Sequence, residues 1–252
     1  MDSKKWKIHC TILAMNKIKV LGSGSSGNCY SLEINDEILL LDAGFKYKDI
    51  LRFIDYRVDK VVGCLTTHTH NDHSKGVKEL VENGINVYAL ASVFEHKDVL
   101  NHRCKVVKAN SRHIVGNFNI LAFELEHDVE NVGFLIKHIP TGETILYITD
   151  TYYVKYRFKN VNHILVECNY SKEIIDRTLE DKMFLRNRVV QSHFELQNCI
   201  DFLKASDLSK LKTLTLVHLS NANSDAELFK GEVEKAIGHP VNIAKKGLEI
   251  YL

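Results

Sequence analysis

Apolar residues in the first half of the chain form short runs that alternate with segments of helical spacing. Short runs rich in β-branched residues are typical of strands, and apolar residues three and four apart are typical of one helix face. The pattern predicts strands at Lys17–Leu21, Cys29–Ile34, Ile38–Asp42, Lys60–Thr66, Asn86–Leu90 and Cys104–Lys108. It predicts helices at Tyr47–Tyr56, Ser74–Asn83 and Ala91–Leu100.

The second half repeats this order of strands first and helices later. It predicts strands at Phe118–Glu126, Val132–Ile139, Thr144–Thr149, Asn162–Glu167, Thr213–Val217, Val241–Ala244 and Leu248–Leu252. It predicts helices at 171–191, Phe194–Ala205 and Asp225–Ile237. Two similar halves of this kind predict an α/β fold that packs sheet on sheet with helices outside.

Length and composition fit one domain with a sizeable core, since 45% of the 252 residues are hydrophobic. We expect residues 15–252 to form it, and residues 1–14 to be an N-terminal extension that is open to disorder. The net charge of +1 neither favours nor excludes a polyanionic partner. No run of about 18 apolar residues occurs, so we expect no membrane span.

The six cysteines do not form a C-x-x-C pair, and several lie in apolar runs. We interpret them as buried, reduced thiols rather than a cysteine zinc site. The apolar stretch after the basic N-terminus is short and interrupted by polar residues, which makes it a poor signal peptide. These features predict a cytoplasmic protein, and no obligate protein partner is evident.

One six-residue segment carries the clearest chemistry, because His68, His70, Asp72 and His73 follow directly on a predicted buried strand. In an extended segment, residues two apart point the same way, so His68 and His70 can hold one ion. Asp72 and His73 then suit a second ion close by. Imidazole and carboxylate ligands fit Zn, Mn or Fe. The segment therefore predicts part of a two-metal hydrolase centre.

The His-x-His-x-Asp-His spacing resembles the signature of the metallo-β-lactamase-fold hydrolases. The upstream Leu40-Leu-Asp42-Ala-Gly44 resembles the Asp-x-Gly that ends a strand in that family. The resemblance covers about residues 16–250. It implies an αββα sandwich of two mixed sheets packed face to face, two divalent metal ions (Zn or Mn) and a metal-bridging hydroxide as nucleophile. It also implies that Asp42 orients the histidine segment.

Further ligands implied by the resemblance arrive singly, each after a predicted strand. One ion is assigned to His68, His70 and His127, the other to Asp72, His73 and His218, and Asp150 bridges the two. His113 remains an alternative to His127.

Three segments resemble the YycJ-like branch of this family, a group of bacterial enzymes described as DNA exonucleases. They are the Gly-Ser-rich Leu21–Tyr30, the His127-Asp128 pair and the final His218-Leu-Ser220. Residues 129–132 depart from the branch pattern. Glu167-Cys-Asn169 matches the branch's Glu-x-Asn, and we interpret it as support for the site rather than as ligands.

His193 lies 25 residues before His218, where this branch and the related tRNase Z enzymes also have a histidine. In phosphodiesterases such a residue can protonate the leaving group. Asp72 and His193 are therefore the candidate catalytic residues. Two extra residues after His193 depart from the family motif, and a helix N-terminal histidine without a catalytic role stays open.

Basic residues near the presumed ligands suggest a phosphodiester substrate. Lys182, Arg186 and Arg188 precede His193, and a Lys/Arg- and Tyr-rich segment at 152–159 follows Asp150. A solvated helix face and an ordinary packed loop are the alternatives. We expect a metal-dependent nuclease acting on DNA. A small-molecule hydrolase of cyclic phosphodiesters or phosphonate esters, and a non-enzymatic metal-binding fold, are the rival hypotheses.

Overall fold

The structure is a computed structural model that describes residues 16–252, so the predicted extension at 1–14 lies outside the described residues. Its first seven strands in chain order are β1 Lys17–Gly22, β2 Cys29–Ile34, β3 Glu37–Leu41, β4 Val61–Leu65, β5 Val87–Ala89, β6 Cys104–Val106 and β7 Arg112–Val115. The other seven are β8 Phe118–Leu125, β9 Asn131–His138, β10 Thr144–Ile148, β11 His163–Glu167, β12 Thr213–Val217, β13 Val241–Ile243 and β14 Glu249–Tyr251.

The strands form two seven-stranded mixed sheets with the same arrangement. The first has the order β14-β1-β2-β3-β4-β5-β6, antiparallel as far as β3 and parallel from there. The second has the order β7-β8-β9-β10-β11-β12-β13, antiparallel as far as β10 and parallel beyond it. The expected two mixed sheets are thus confirmed.

Helices complete each half of the molecule. They are α1 Tyr47–Phe53, α2 Asn71–Ser74, α3 Val77–Glu82, α4 Ala91–His96, α5 Lys172–Thr178, α6 Met183–Ser192, α7 Leu196–Ala205 and α8 Ala226–Ile237. One buried cluster joins β1–β5 with α1, α3, α4 and the inner positions of β8–β10. A second packs the other side of the second sheet under α7 and α8. Within residues 16–252, no helix is both long and apolar enough to span a membrane.

The bounds of several helices and strands differ from the sequence prediction where polar residues determine the local structure. The predicted helix at 171–191 is two helices, α5 and α6, separated at residues 179–182. The α7 helix begins at Leu196 rather than Phe194, because the Glu195 side chain accepts hydrogen bonds from the backbone N–H groups of Gln197 and Asn198. The strand β7 was not predicted, since only Val115 in it is buried.

The thiols agree with the sequence interpretation. Cys29, Cys64, Cys168 and Cys199 are buried and Cys104 is half-buried, all as free cysteines. Burial raises the pKa of the Cys64 thiol, which keeps it protonated and inert.

Candidate metal centre

The candidate ligands lie together at one edge, beyond the carboxyl ends of four strands. His68 to His73 follow β4, and His127, Asp150 and His218 follow β8, β10 and β12 respectively. Asp150 and His218 have left-handed backbone conformations, with φ of 49° and 54°. Left-handed φ is uncommon for residues other than glycine and clusters at functional sites, where it fixes a side chain in an otherwise disfavoured direction.

One group of four side chains consists of His68, His70, His127 and Asp150. His70 Nδ1 lies 3.1 Å from His68 Nε2 and 3.3 Å from His127 Nε2. The carboxylate Oδ2 of Asp150 completes the group at 3.8 Å from His68 Nε2 and 3.9 Å from His127 Nε2. The predicted His127, rather than His113, joins the cluster; His113 lies on β7 and contacts Ser111.

The outer nitrogens of two of these rings are held by acceptors. The Thr67 hydroxyl donates to Asp42 Oδ1 at 3.0 Å, so it accepts from His68 Nδ1, which lies 3.0 Å away. His127 Nδ1 donates to the carbonyl of Ser192 at 2.7 Å. Both rings therefore turn an unprotonated Nε2 toward His70. Burial, and also the neighbouring His73, lower the pKa of His68 well below its usual value, and burial lowers that of His127.

The second group consists of Asp72, His73, His218 and again Asp150. His73 Nε2 lies 3.3 Å from Asp72 Oδ2 and 3.1 Å from Asp150 Oδ1, and His218 Nε2 lies 3.4 Å from Asp72 Oδ2. Asp72 and His73 belong to the first turn of α2, not to a loop. Asp150 is the only member shared by the two groups, with one carboxylate oxygen toward each.

Asp42 fixes the segment Thr67–His73 through hydrogen bonds at both of its ends. It is fully buried; its Oδ1 accepts from the Thr67 backbone N–H, and its Oδ2 accepts from His73 Nδ1 at 2.7 Å and from the Tyr147 hydroxyl at 2.6 Å. Gly44 lets the segment approach, because a Cβ at this position would lie 1.9 Å from the Asp72 carbonyl oxygen. This contact gives the Asp-x-Gly sequence a physical reason.

Glu167 holds two histidines at once. Its Oε1 accepts from His193 Nδ1 at 2.8 Å and lies 3.0 Å from His218 Nδ1, while its Oε2 accepts from the backbone N–H groups of Thr151 and Phe194. Asn169 supports the same loop by donating to the His218 carbonyl at 2.7 Å. His193 does not open a helix as predicted; it ends α6 in an extended conformation, since Glu195 caps the next helix.

The donor set fits divalent cations. The Nε2 atom of His218 is buried without a hydrogen-bond partner among the described residues. His68 Nε2 and His127 Nε2 both face the single Nδ1 atom of His70, at 3.1 and 3.3 Å. Burial opposes charge on His73 and His218, yet Asp150 outweighs it and raises the pKa of both well above the usual value. The protons on the rings of His73 and His218 therefore occupy positions in which a bound cation would neutralise the carboxylates.

A cleft opens over both groups. Five candidate ligands line it, namely His70, Asp72, His127, Asp150 and His218, and its other lining residues include Ser25, Asp128, Arg188, Val189, His193 and Ser220. A family model described as "Beta-lactamase superfamily domain" matches residues 38–219. The protein belongs to this superfamily.

Two named relatives and one solved structure show which members of the superfamily the chain resembles. The chain is 28% identical over 230 residues to exodeoxyribonuclease WalJ of Streptococcus pneumoniae, covering 84% of each chain. It is 27% identical over 236 residues to exodeoxyribonuclease YycJ of Bacillus anthracis, covering 86% of this chain and 88% of the relative. The structure matches the metallo-β-lactamase fold protein YhfI of Bacillus subtilis with a TM-score of 0.69, 17% identity and coverage of 93% and 98%.

These comparisons confirm the expected metallo-β-lactamase fold, its YycJ-like character and a metal-dependent hydrolase. Several supporting contacts in this superfamily member were not predicted. Asn28 lies 3.0 Å from His73 Nε2 through its Nδ2, Asp128 Oδ1 lies 3.1 Å from His127 Nε2, and Tyr147 reaches Asp42 across the two sheets. Of these residues, Asn28 lies in the Gly-Ser-rich segment and Asp128 in the His127-Asp128 pair, which both carried a sequence signal.

The predicted basic residues separate in the structure. Arg188 lines the cleft, whereas Arg186 pairs with Asp176 at 2.7 Å and Lys182 lies exposed at the start of α6. In the 152–159 segment, Lys155 pairs with Glu124 and the aromatic rings at 156 and 158 pack against the second core cluster. The second half of the segment is therefore an ordinary packed loop, whereas Tyr152 and Tyr153 in its first half are exposed.

Proposed function

We propose that the protein is a dinuclear metal-dependent phosphodiesterase that degrades DNA, with exonuclease-like action. The observation that carries the proposal is His193, which Glu167 holds 3.9 Å from Asp150, at the cleft. It lies outside the two groups described above and forms a third possible group with Asp150, Glu167 and His218. A two-metal hydrolase with a separate proton donor suits a phosphodiester, whose alkoxide leaving group needs a proton. The relatives named exodeoxyribonucleases support DNA as the polymer.

The proposed ligand assignment follows the two groups of side chains. His68, His70 and His127 would hold one ion, Asp72, His73 and His218 the other, and Asp150 would bridge them. When bound, two zinc or manganese ions would supply Lewis acidity toward the phosphate oxygens and would lower the pKa of the attacking water.

The residues of the chain then have distinct tasks. Asp42 and Glu167 fix the tautomers of the histidines that they contact, since each accepts a hydrogen bond from an Nδ1. Burial disfavours charge on His193, but Glu167 outweighs it and raises the pKa. His193 therefore keeps its proton to a higher pH than an ordinary histidine does, and can give that proton to the leaving oxygen. Arg188 in the cleft is the candidate for contacting phosphate.

A substrate panel tests the proposal. The protein with Mn²⁺ or Zn²⁺ is offered bis(p-nitrophenyl) phosphate, single- and double-stranded DNA, and RNA, with Asp72→Ala and His73→Ala variants as controls. We expect metal-dependent release of nucleotides from DNA by the wild type only. Cleavage of the chromogen but of no polymer would instead support the small-molecule phosphodiesterase, and inactivity on all of them despite bound metal would support a non-enzymatic role.

A further inference from the structure

A second cavity, which we call the lysine cavity, lies beside the cleft over the metal centre. Its volume is about 640 Å³, and none of the candidate metal ligands lines it. It shares Leu219 and Ser220 with the cleft. A ligand in the lysine cavity would therefore lie next to the centre without occupying it. Its other lining residues include Ser23, Ser26, Lys245 and Lys246.

The lysine cavity carries positive charge that no carboxylate balances. Lys245 and Lys246 are exposed, and neither has an ion-pair partner within residues 16–252. None of the described residues that line the cavity is acidic. Asp225 lies next to two lining residues in the sequence, but its side chain accepts a hydrogen bond from the backbone N–H of Leu228 and caps α8. The cavity therefore favours an anion.

Two serine hydroxyls of the same cavity have protons without an acceptor among the described residues. The Ser23 oxygen accepts from the Tyr30 hydroxyl at 2.7 Å and from the His218 backbone N–H at 2.8 Å. Both of its lone pairs are thus occupied, and only its own proton remains for a further hydrogen bond. The Ser220 oxygen accepts from the Asn223 backbone N–H at 3.2 Å. Two ammonium groups and two hydroxyls can therefore donate to the acceptor atoms of one ligand.

This set of donors fits a phosphate monoester better than other anions. A phosphate monoester carries a charge of about −1.5 to −2 near pH 7 and has three terminal oxygens that accept hydrogen bonds. Two lysines balance that charge. A carboxylate carries a single charge on two oxygens, and a phosphodiester within a polymer also carries a single charge. The monoester is therefore the head group that matches the lysine cavity.

A third cavity, which we call the apolar cavity, adjoins the lysine cavity and has a different character. Its volume is about 570 Å³, and it shares Leu21, Phe45 and Lys246 with the lysine cavity. Its remaining charged lining residues are paired, Arg52 with Asp49, Lys19 with Asp55 and Glu249 with Lys17. Its further apolar lining residues are Val20, Phe53 and Leu248. The apolar cavity therefore suits an uncharged apolar group rather than the next phosphate of a polymer.

Phe45 lies where the two cavities meet, and the Gly-Ser-rich turn fixes its ring. A Cβ at Gly22 would lie 2.4 Å from this ring, and a Cβ at Gly27 would lie 2.8 Å from it. The two glycines thus let the ring pack directly on the backbone of the turn. The same turn supplies Ser23 to the lysine cavity. A ligand that contacts both would place an aromatic group against Phe45 and its anionic group beside Ser23.

We propose that the lysine cavity and the apolar cavity together bind a small phosphate monoester with an aromatic substituent. The phosphate lies at Lys245, Lys246 and the Ser23 hydroxyl. The substituent lies against Leu21 and Phe45. This site is separate from both ligand groups, so it does not depend on the proposed nuclease function. A nucleoside monophosphate and a simple aryl phosphate share this chemistry, and the test distinguishes them.

The test titrates the full-length, metal-loaded protein calorimetrically with naphthylmethylphosphonate, which has no ester bond to hydrolyse. Methylphosphonate, which lacks the ring, is the reference compound. We expect the naphthyl compound to bind about 10- to 100-fold more tightly, because its ring removes on the order of 100 Å² of apolar surface from water.

The lysines are tested as a pair. Lys245→Gln combined with Lys246→Gln should raise the Kd for the naphthyl compound at least about 10-fold, because hydrogen bonds between charged groups are lost. Lys204→Gln combined with Lys210→Gln is the matched control. It makes the same change in net charge at two exposed lysines that line neither cavity, and it should leave the Kd unchanged.

The outcomes separate this site from the metal centre. Equal Kd values for the two phosphonates, or an equal loss of affinity in the two lysine pairs, would overturn the site. So would a Kd that the Lys245 and Lys246 changes leave unaltered while the compound competes with bis(p-nitrophenyl) phosphate, since the compound then binds at the metals. Binding of 2′-deoxyadenosine 5′-monophosphate with the same dependence on these lysines would support the site and identify nucleotides as its ligands. Binding of the naphthyl compound alone would support it for simple aryl phosphates.

Discussion

The two sheets have the same strand arrangement, but they supply the candidate centre in different ways. The first sheet supplies four side chains from the single connection after β4. The second supplies three, and each comes from a different strand end. The local sequence after β4 can thus position the four side chains of the first sheet. The positions of the three side chains from the second sheet depend instead on the register of β8, β10 and β12. Asp150, from the second sheet, is the member that the two groups share.

The largest effect is therefore expected at Asp150. In Asp150→Asn both groups lose a charged oxygen, so we expect turnover to fall by more than the roughly 10- to 100-fold typical of supporting residues, and both ions to be lost. Asp72→Asn is the control, since it changes one group only and should retain about one ion per chain. Metal analysis after dialysis distinguishes them, and equal metal content in the two variants would contradict the shared role of Asp150.

Removal of the candidate acid comes next. His193→Ala should lower turnover on DNA about 10²- to 10⁴-fold while leaving metal content unchanged, because His193 belongs to neither proposed ligand set. Turnover and metal analysis of the same preparation check this. Loss of metal from His193→Ala would instead place the residue among the ligands or their supports.

The pH dependence of kcat tests the same role of His193 as the proton donor. Burial lowers the pKa of His193, but Glu167 outweighs it and raises the pKa, so the acid is present below this raised pKa and is lost as the pH rises through it. Glu167→Gln removes this carboxylate, so the alkaline fall in kcat should move to lower pH. A profile that keeps its alkaline limb in Glu167→Gln would show that another group supplies the proton.

The contrast between the sheets also explains what the sequence could predict. His68, His70, Asp72 and His73 lie within six residues, and the helix and strand periods around them are regular, so both segment and fold class were readable. His127 and His218 could be assigned only through family resemblance, because nothing local separates them from other histidines that follow strands.

Contacts between residues far apart in the sequence could not be predicted from the local pattern. The hydroxyl of Tyr147 reaches Asp42 from a strand 105 residues away, and its position in β10 looks like an ordinary core residue. The start of α7 was misplaced at Phe194, since the helix begins only after the Glu195 cap although the apolar pattern begins at Phe194.

A smaller effect is expected when metal binding is measured against pH. Asp150 raises the pKa of His73 and His218 in the metal-free protein despite their burial. Protons bound there must leave before the rings can hold an ion, so metal affinity should increase as the pH rises through these raised values and then level off. Calorimetric titration in two buffers of different ionisation enthalpy should show net proton release. Binding enthalpies that do not depend on the buffer would contradict it.

The smallest effect concerns the contact between the sheets. Tyr147→Phe removes the 2.6 Å hydrogen bond to Asp42 Oδ2, but His73 Nδ1 still donates to that oxygen at 2.7 Å. We expect a loss of about 1–3 kcal/mol in the free energy of unfolding, and a fall in metal affinity smaller than that caused by Asp72→Asn. Tyr30→Phe is the matched control, because Tyr30 is equally buried and packs on Tyr147, yet its hydroxyl donates to Ser23. Denaturant unfolding of the metal-free proteins and metal titration measure the two effects. If both variants lose stability but neither loses affinity, Asp42 orients the histidine segment without help from the second sheet, and that sheet acts on the centre only through its own three side chains.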